Sequence, residues 1–196
     1  MGYRILNSEG NLIVTDKRPR LKDIGTIVPG IGVTAKHAAF GPFIQTTLTL
    51  DNVAQTVVNG TEYQGTKIFD FPETRMWVVG CVATLQQKTT STLASTLNAS
   101  STGAIALGTA TASNVSLTGT MVDFLPSTAF TSSATVNVAG TAVSAVLAAA
   151  AFFDGTGTAK DLYLNTAYAT TTDVDGDATQ TISGTVVITW INLGDK

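Results

Sequence analysis

Few residues in this chain are of a type that does chemistry, and their spacing limits what they could do. His37 is the only histidine among 196 residues, so no site can be built from several imidazoles, and any acid-base role would rest on it alone. It stands in TAKHAAF, with no acid or nucleophile motif beside it, and is read as structural or surface-facing. Cys81 is the sole cysteine. It excludes an intramolecular disulfide, fits a reducing compartment, and lies in the apolar run RMWVVGCVATL as expected of a buried thiol. The segment DVDGD, Asp173 to Asp177, imitates the start of a calcium loop, in which alternating carboxylates offer hard oxygens around a glycine bend. A bidentate Glu is needed at the twelfth place, where Gly184 stands, so an acidic turn is set against a weak adventitious Ca²⁺ site. Asp123, between Met121, Val122, Phe124 and Leu125, is either a buried acid or a carboxylate on a strand edge. GxSxG, Walker, CxxC and HExxH patterns are all absent. No catalytic, cofactor-binding or metal-binding residue is therefore expected, and no cofactor.

Charge is scarce and unevenly placed. The net charge is -3 and the pI about 4.9, which gives no general attraction to nucleic acid. Lys17, Arg18, Arg20 and Lys22 nevertheless gather around Pro19 in DKRPRLK. Asp16 and Asp23 partly counter these four, so they make a feeble phosphate track. A protein partner with acidic patches suits them better, since Arg offers planar bidentate bonds, and a merely solvated arm is the bland alternative. By contrast, Thr89 to Phe153 carries one ionisable side chain, Asp123, in 65 residues. A water-facing surface normally carries charges of both signs, so this stretch is either covered largely by other protein or solvated by hydroxyls alone, and the first reading is a β protein built to pack against neighbours. The longest nearly unbroken apolar run, AVSAVLAAAAFF at Ala142 to Phe153, is 12 residues, short of the roughly 20 that span a bilayer. With Leu6 where a myristoylation pattern needs Ser or Thr, no membrane partner is expected, and MGYRILNSEG lacks the apolar core of a signal peptide, so synthesis and folding in a cytoplasm are expected.

The elements that must position these residues read as strands. Thr supplies 34 residues, and its branched Cβ suits a pleated surface. Tyr3 to Thr15 reads as a small hairpin with its turn at Ser8 to Asn11, followed by the basic, proline-bearing arm. From Phe43 the period is two, with Ile44, Leu48 and Leu50 facing one way and Gln45, Thr47 and Thr49 the other. Lys67 to Phe71 and Arg75 to Leu85 read as a pair turning at PET, with Trp77, Val79, Cys81, Ala83 and Leu85 on one face. Shorter strands are expected at Ala104 to Leu107, Val115 to Leu125 and Thr135 to Val138, while Ala142 to Phe153 fits helix or strand equally. Leu162 and Leu164 alternate with Tyr163 and Asn165, and Ile182, Val186, Ile188 and Trp190 share a face of the closing strand. The expected fold class is all-β, a jelly-roll-like antiparallel β-sandwich with an extended N-terminal arm. Residues 1–36 would form the hairpin and basic arm, and 37–196 the sandwich domain.

The last 36 residues, DLYLNTAYA followed by an acidic turn and ISGTVVITWINLGD, resemble the terminal hairpin of the head decoration, or cement, proteins of tailed bacteriophages, and the Thr/Ala/Gly-rich middle is similar in style. The resemblance implies a sandwich or jelly roll that sits as a homotrimer on the exterior of a capsid and clamps neighbouring major capsid protein subunits. It implies no catalysis and no direct contact with nucleic acid. Synthesis would be in a bacterial host cytoplasm and the final location the virion. Lys17, Arg18, Arg20 and Lys22 are the candidate capsid-contact arm. The rival reading is a β-sandwich adhesin or carbohydrate-binding module of a phage tail or fibre. An enzyme on this scaffold comes third.

Overall fold

The computed structural model describes residues 24–89, 102–131, 143–147, 149–168 and 177–194, together with the backbone of two short strands before them. Those two, β1 (Ile5–Leu6) and β2 (Leu12–Ile13), pair antiparallel. The arm residues Lys17, Arg18, Arg20 and Lys22, the strand expected at Thr135 to Val138 and Asp173 to Gly176 of the acidic turn lie outside the described residues.

The remaining strands are β3 (Thr26–Ile27), β4 (Val33–Phe40), β5 (Phe43–Val57), β6 (Tyr63–Asp70), β7 (Arg75–Thr89), β8 (Thr102–Gly108), β9 (Leu125–Thr131), β10 (Val143–Val146), β11 (Ala151–Asp154), β12 (Asp161–Tyr168) and β13 (Ala178–Gly194). Their pairing is that of one long antiparallel hairpin rolled up. Going inward along the chain from both sides, β5 pairs with β13, β6 with β12, β7 with β10 and β11, and β8 with β9. Rolling then sets β7 beside β13 and β8 beside β12. The result is two antiparallel sheets, β10-β7-β13-β5-β4 with β11 also on β7, and β3-β6-β12-β8-β9. This is the jelly-roll sandwich that the sequence led us to expect.

The period-two pattern explains the core. Ile44, Leu48 and Leu50 of β5 and Ile182, Val186, Ile188 and Trp190 of β13 face inward and are buried. They meet Ile68 and Phe69 of β6, Leu107 of β8 and Leu162 and Leu164 of β12 from the other sheet. Phe71, Phe124, Phe153 and Trp190 add a chain of ring contacts, with Phe71 edge-on to Trp190 at 5.5 Å and Phe124 stacked on Phe153 at 4.9 Å.

Several expectations are corrected. The turn at Pro72 to Thr74 does not join a hairpin, because β6 and β7 belong to different sheets and the chain crosses between them there. The segments that resemble a terminal hairpin are likewise split, β12 in one sheet and β13 in the other. Val115 to Leu125 is loop with a 3-10 turn at Gly119–Met121, and the strand begins only at Leu125. At Ala142 to Phe153 the strand wins, as β10 and β11 each gain a ladder along the edge of β7 that a helix there would forgo. The line drawn between residues 36 and 37 falls inside β4, whose register with β5 is unbroken from Val33 to Phe40. Ile24 and Val33 are already core residues.

Trp77 is the most consequential correction. The ladder between β7 and β13 slips between Thr189, opposite Gly80, and Trp190, opposite Val78, so Val79 is an extra residue. A bulge of this kind reverses the phase of every side chain beyond it. Cys81, Ala83 and Leu85 stay inward as expected, but Met76 and Val78 take the inward places and Trp77 turns out.

Candidate functional site

The candidate chemical residues do not converge. His37, on β4, is half-buried with Nδ1 3.1 Å from Thr46 Oγ1 and its ring tilted over Phe69. The same Thr46 oxygen accepts the indole N–H of Trp190 at 3.0 Å, which leaves the hydroxyl proton or its second lone pair for the imidazole, according to the His37 tautomer. Burial pushes the His37 pKa down, which keeps it neutral and structural. Cys81 is buried, and burial pushes its thiol up to about 12, far from thiolate chemistry. Asp123 is half-buried and accepts hydrogen bonds from the Thr109 backbone N–H at 2.8 Å and hydroxyl at 2.6 Å. Burial raises its pKa while the Thr109 bonds oppose the rise, and its role is to pin the loop that starts at Thr109. Asp177, which closes the acidic turn, accepts the Asn59 backbone N–H at 3.0 Å.

One titratable cluster was not anticipated. Asp70 and Asp161 are cross-strand partners, and Lys67 Nζ lies 2.6 Å from Asp70 and 3.3 Å from Asp161. Tyr163 donates to Asp161 at 3.1 Å. Burial, with a hydrogen bond to Asp161, raises the Asp70 pKa. Burial also works against Asp161, but hydrogen bonds from Asp70, Tyr163 and Lys67 hold it low. Such a pair can share a proton, yet it stands on an open strand face with no convergent cleft. No group of three or more His, Cys, Asp or Glu among the described residues could hold a metal ion. No described helix is long and apolar enough to cross a membrane.

Polar residues are also buried between the sheets. Gln55 of β5 donates to the Leu164 carbonyl at 2.9 Å and to Thr66 at 3.2 Å, and accepts from Thr166 at 2.7 Å. Gln180 of β13 donates to Thr166 at 3.0 Å and accepts from Tyr168 at 2.6 Å. This network ties the two layers in one register, as a satisfied buried network does. Gln55 stands in phase with the buried Val53 and Val57, and Gln180 with Ala178 and Ile182, which is the signal that could have placed them inside.

The two outer faces differ sharply. Over β8 and β12 the chain lays its own cover, the loop from Thr109 to Met121. Asn165 holds it through bonds to the Ala112 N–H and the Ala110 and Met121 carbonyls, each at 2.8 or 2.9 Å. Ala112, Leu117 and Met121 pack on Ala106 and Ala167 as a second small core. Gly108 admits this cover, because a Cβ there would run into the backbone of Thr120 and Met121.

The outer face of the six-stranded sheet has no such cover among the described residues. Direct cross-strand partners share a face, so the registers define its rows. The first row is Phe152, Trp77, Ile191, Phe43 and Phe40, crossing from β11 to β4. Phe152 is 59% exposed, Phe40 50% and Trp77 44%. The second row is Gly80, Thr189, Gln45 and Ala38, and the third is Val146, Val82, Val187, Thr47 and Lys36. The fourth continues with Thr84, Thr185, Thr49 and Thr34. Lys36, on the edge strand, is the only charge in these four rows. Beyond them lie Asp51 at one end and the Arg75–Asp154 ion pair, 3.8 Å apart, at the other. A neutral, apolar-banded centre with a charged rim is the composition of a protein interface. We take this face as the candidate site. The neutral stretch after Thr89 supplies its β10 and β11 edge, while its centre comes from β5, β7 and β13.

No protein-family description matches the chain, and no curated protein matches it. Among solved structures, a chain of infectious bursal disease virus, Gt strain, is similar at 12% identity and a TM-score of 0.38 over 84% of this chain and 37% of that one. A chain of the Gx strain is similar at 12% identity and a TM-score of 0.24, over 100% and 38%. This chain thus spans less than two-fifths of either. Likenesses this distant carry no argument about what the protein does.

Proposed function

We propose that this protein is a non-catalytic virion structural protein, which decorates a viral capsid from outside and stabilises it by clamping neighbouring major capsid protein subunits. The observation that carries the reading is the almost uncharged face of the six-stranded sheet, which nothing covers among the described residues. A flat surface of about 24 Å by 27 Å, from five strands and four rows at ordinary spacings, is too large and too apolar in its first row to be idle solvent surface. Its Thr rows, held on strands locked to the second sheet by Gln55 and Gln180, form a stiff plate rather than an adaptable loop surface. Many such contacts repeated over a symmetric shell add up without any single strong site. Lys17, Arg18, Arg20 and Lys22 supply a second, electrostatic attachment to acidic protein surface. Synthesis in a bacterial cytoplasm belongs to the same reading.

The test is made on particles. The protein should be present in fixed ratio to the main shell protein, and particles stripped of it should release their contents at a lower temperature. Equal release temperatures for stripped and decorated particles would end the stabilising role. Changing the four arm cations to Ser should weaken binding and flatten its salt dependence, since exposed ion pairs are screened over about 10 Å at 0.1 M salt.

A second reading is favoured by one observation. Trp77 is exposed beside Phe152, and such aromatic surface is what a carbohydrate-binding module or adhesin offers to sugar rings. Quenching or shift of Trp77 fluorescence on titration with polysaccharides would favour it. Trp190 is wholly buried, so its emission is a background that sugar does not reach, and Trp77→Phe separates the two signals.

A further inference from the structure

We infer that the bare face takes the same face of a second copy, sheet on sheet, about a two-fold axis running close to β13. This rests on the reading of that face as a protein-contact surface but gives it to a second copy, so that attachment to a particle falls to the arm at Lys17, Arg18, Arg20 and Lys22 and to the rest of the surface.

The first row is symmetric in kind about its centre, with an aromatic pair on each side of Ile191. A two-fold along β13 sets Ile191 over its own mate and lays the Phe152 and Trp77 side of one copy on the Phe43 and Phe40 side of the other. Thr189 and Val187 lie near the axis as well, because β13 is the central strand. Charge obeys the same operation. Lys36 is carried toward the β10 edge of the mate and not onto the mate's Lys36, so its stem can cover apolar surface while its ammonium stays in water. The Arg75–Asp154 pair falls over the short turn between β4 and β5, which carries no charge. Neither Lys36 nor the Arg75–Asp154 pair is laid on its own mate.

Area is sufficient. About 650 Å² of flat face per copy, about 1,300 Å² in total, exceeds the roughly 1,000 Å² that a specific interface needs. Sheets stacked about 10 Å apart and turned by about 30° are the ordinary packing of two β faces. A cyclic trimer, by contrast, needs two different complementary patches on each copy, whereas a self-complementary face closes as a dimer.

Sedimentation equilibrium of the full chain at micromolar concentration should give twice the chain mass of 20.3 kDa. Thr189→Lys sets two lysines against each other near the axis and should weaken self-association about 100-fold or more. Thr189→Glu should do the same, and mixing the two variants should restore a dimer, a rescue that only a contact of residue 189 with itself allows. Circular dichroism shows whether each variant is folded. Phe152→Glu at the exposed edge is the substitute if either is not, again with loss of the dimer expected. A single-chain mass for the wild type overturns the inference. So does a threefold mass, or a dimer that these charges leave intact. Particle binding is scored separately: a monomer that binds particles overturns only the dimer, and a dimer absent from particles overturns only the decorating role.

Discussion

Replacing Gln55 by Leu tests whether the polar groups between the sheets act as one unit. The substitution keeps nearly the same volume but removes the amide that donates to the Leu164 carbonyl and Thr66 and accepts from Thr166. Gln55 is 1% exposed and Thr166 fully buried, so water cannot take the amide's place. A buried group left without a partner costs about 1–3 kcal/mol. With the Thr166 hydroxyl and the Leu164 carbonyl both losing a partner, the expected loss is about 3 kcal/mol, a fall in Tm of about 6–12 °C for a domain of this size. Combining Gln55→Leu with Thr166→Val, Gln180→Leu and Tyr168→Phe removes the four fully buried side chains of the network together and orphans fewer groups than the singles do. The combined variant should therefore lose clearly less than the sum of the four separate losses. Reversible urea unfolding followed by Trp190 fluorescence measures each. Additive losses, or a Gln55→Leu loss below about 0.5 kcal/mol, would refute the network as the device that locks the layers.

Gly108→Ala should destabilise by about 3 kcal/mol through overpacking, because its Cβ meets the backbone of Thr120 and Met121 and lifts the loop off Ala106 and Ala167; urea midpoints check this, with Gly157→Ala, which meets nothing, as control. The lowered pKa of His37 means that the unfolded state takes up its proton first, so stability is complete above about pH 6.5 and declines as pH falls below it. His37→Gln should therefore show a shallower loss between pH 7.5 and pH 5.5 (values on the order of one unit either side of the unperturbed pKa), read from unfolding midpoints. Cys81, buried and pushed up to about 12, should resist iodoacetamide at neutral pH in the folded protein and react only as the chain unfolds, as mass spectrometry against denaturant would record.

The alternation of β5 and β13 was plain in the sequence because both strands bury one face only. Ile44, Leu48, Ile188 and Trp190 lie where period two put them. Trp77 was misplaced because a bulge at Val79 depends on the partner strand and leaves no mark in the local pattern. The cover over Asn165 was illegible for a similar reason: its three bonds run to backbone 44 to 55 residues away. Gln55 and Gln180 carried a visible signal in their phase, but a lone glutamine in an apolar row gains an inward meaning only when its partners are known. The bare face was foreshadowed by the shortage of charge. Its extent was not, since the rows come from strands spread between Val33 and Gly194.

The placement of β13 has a consequence for how the molecule is made. This strand lies between β5 and β7, and it supplies the inner neighbour of both. On a ribosome, β5 emerges more than a hundred residues before the partner that completes it. Until residues 178–194 arrive, β5 and β7 each expose an unpaired backbone edge and an apolar face, the state most prone to pairing with the wrong chain. Folding governed by such distant pairings is slow, in the range of milliseconds to seconds. Nascent chains arrested before β13 should therefore be captured by chaperones or remain sensitive to protease, and they should become resistant only when the strand has been synthesised.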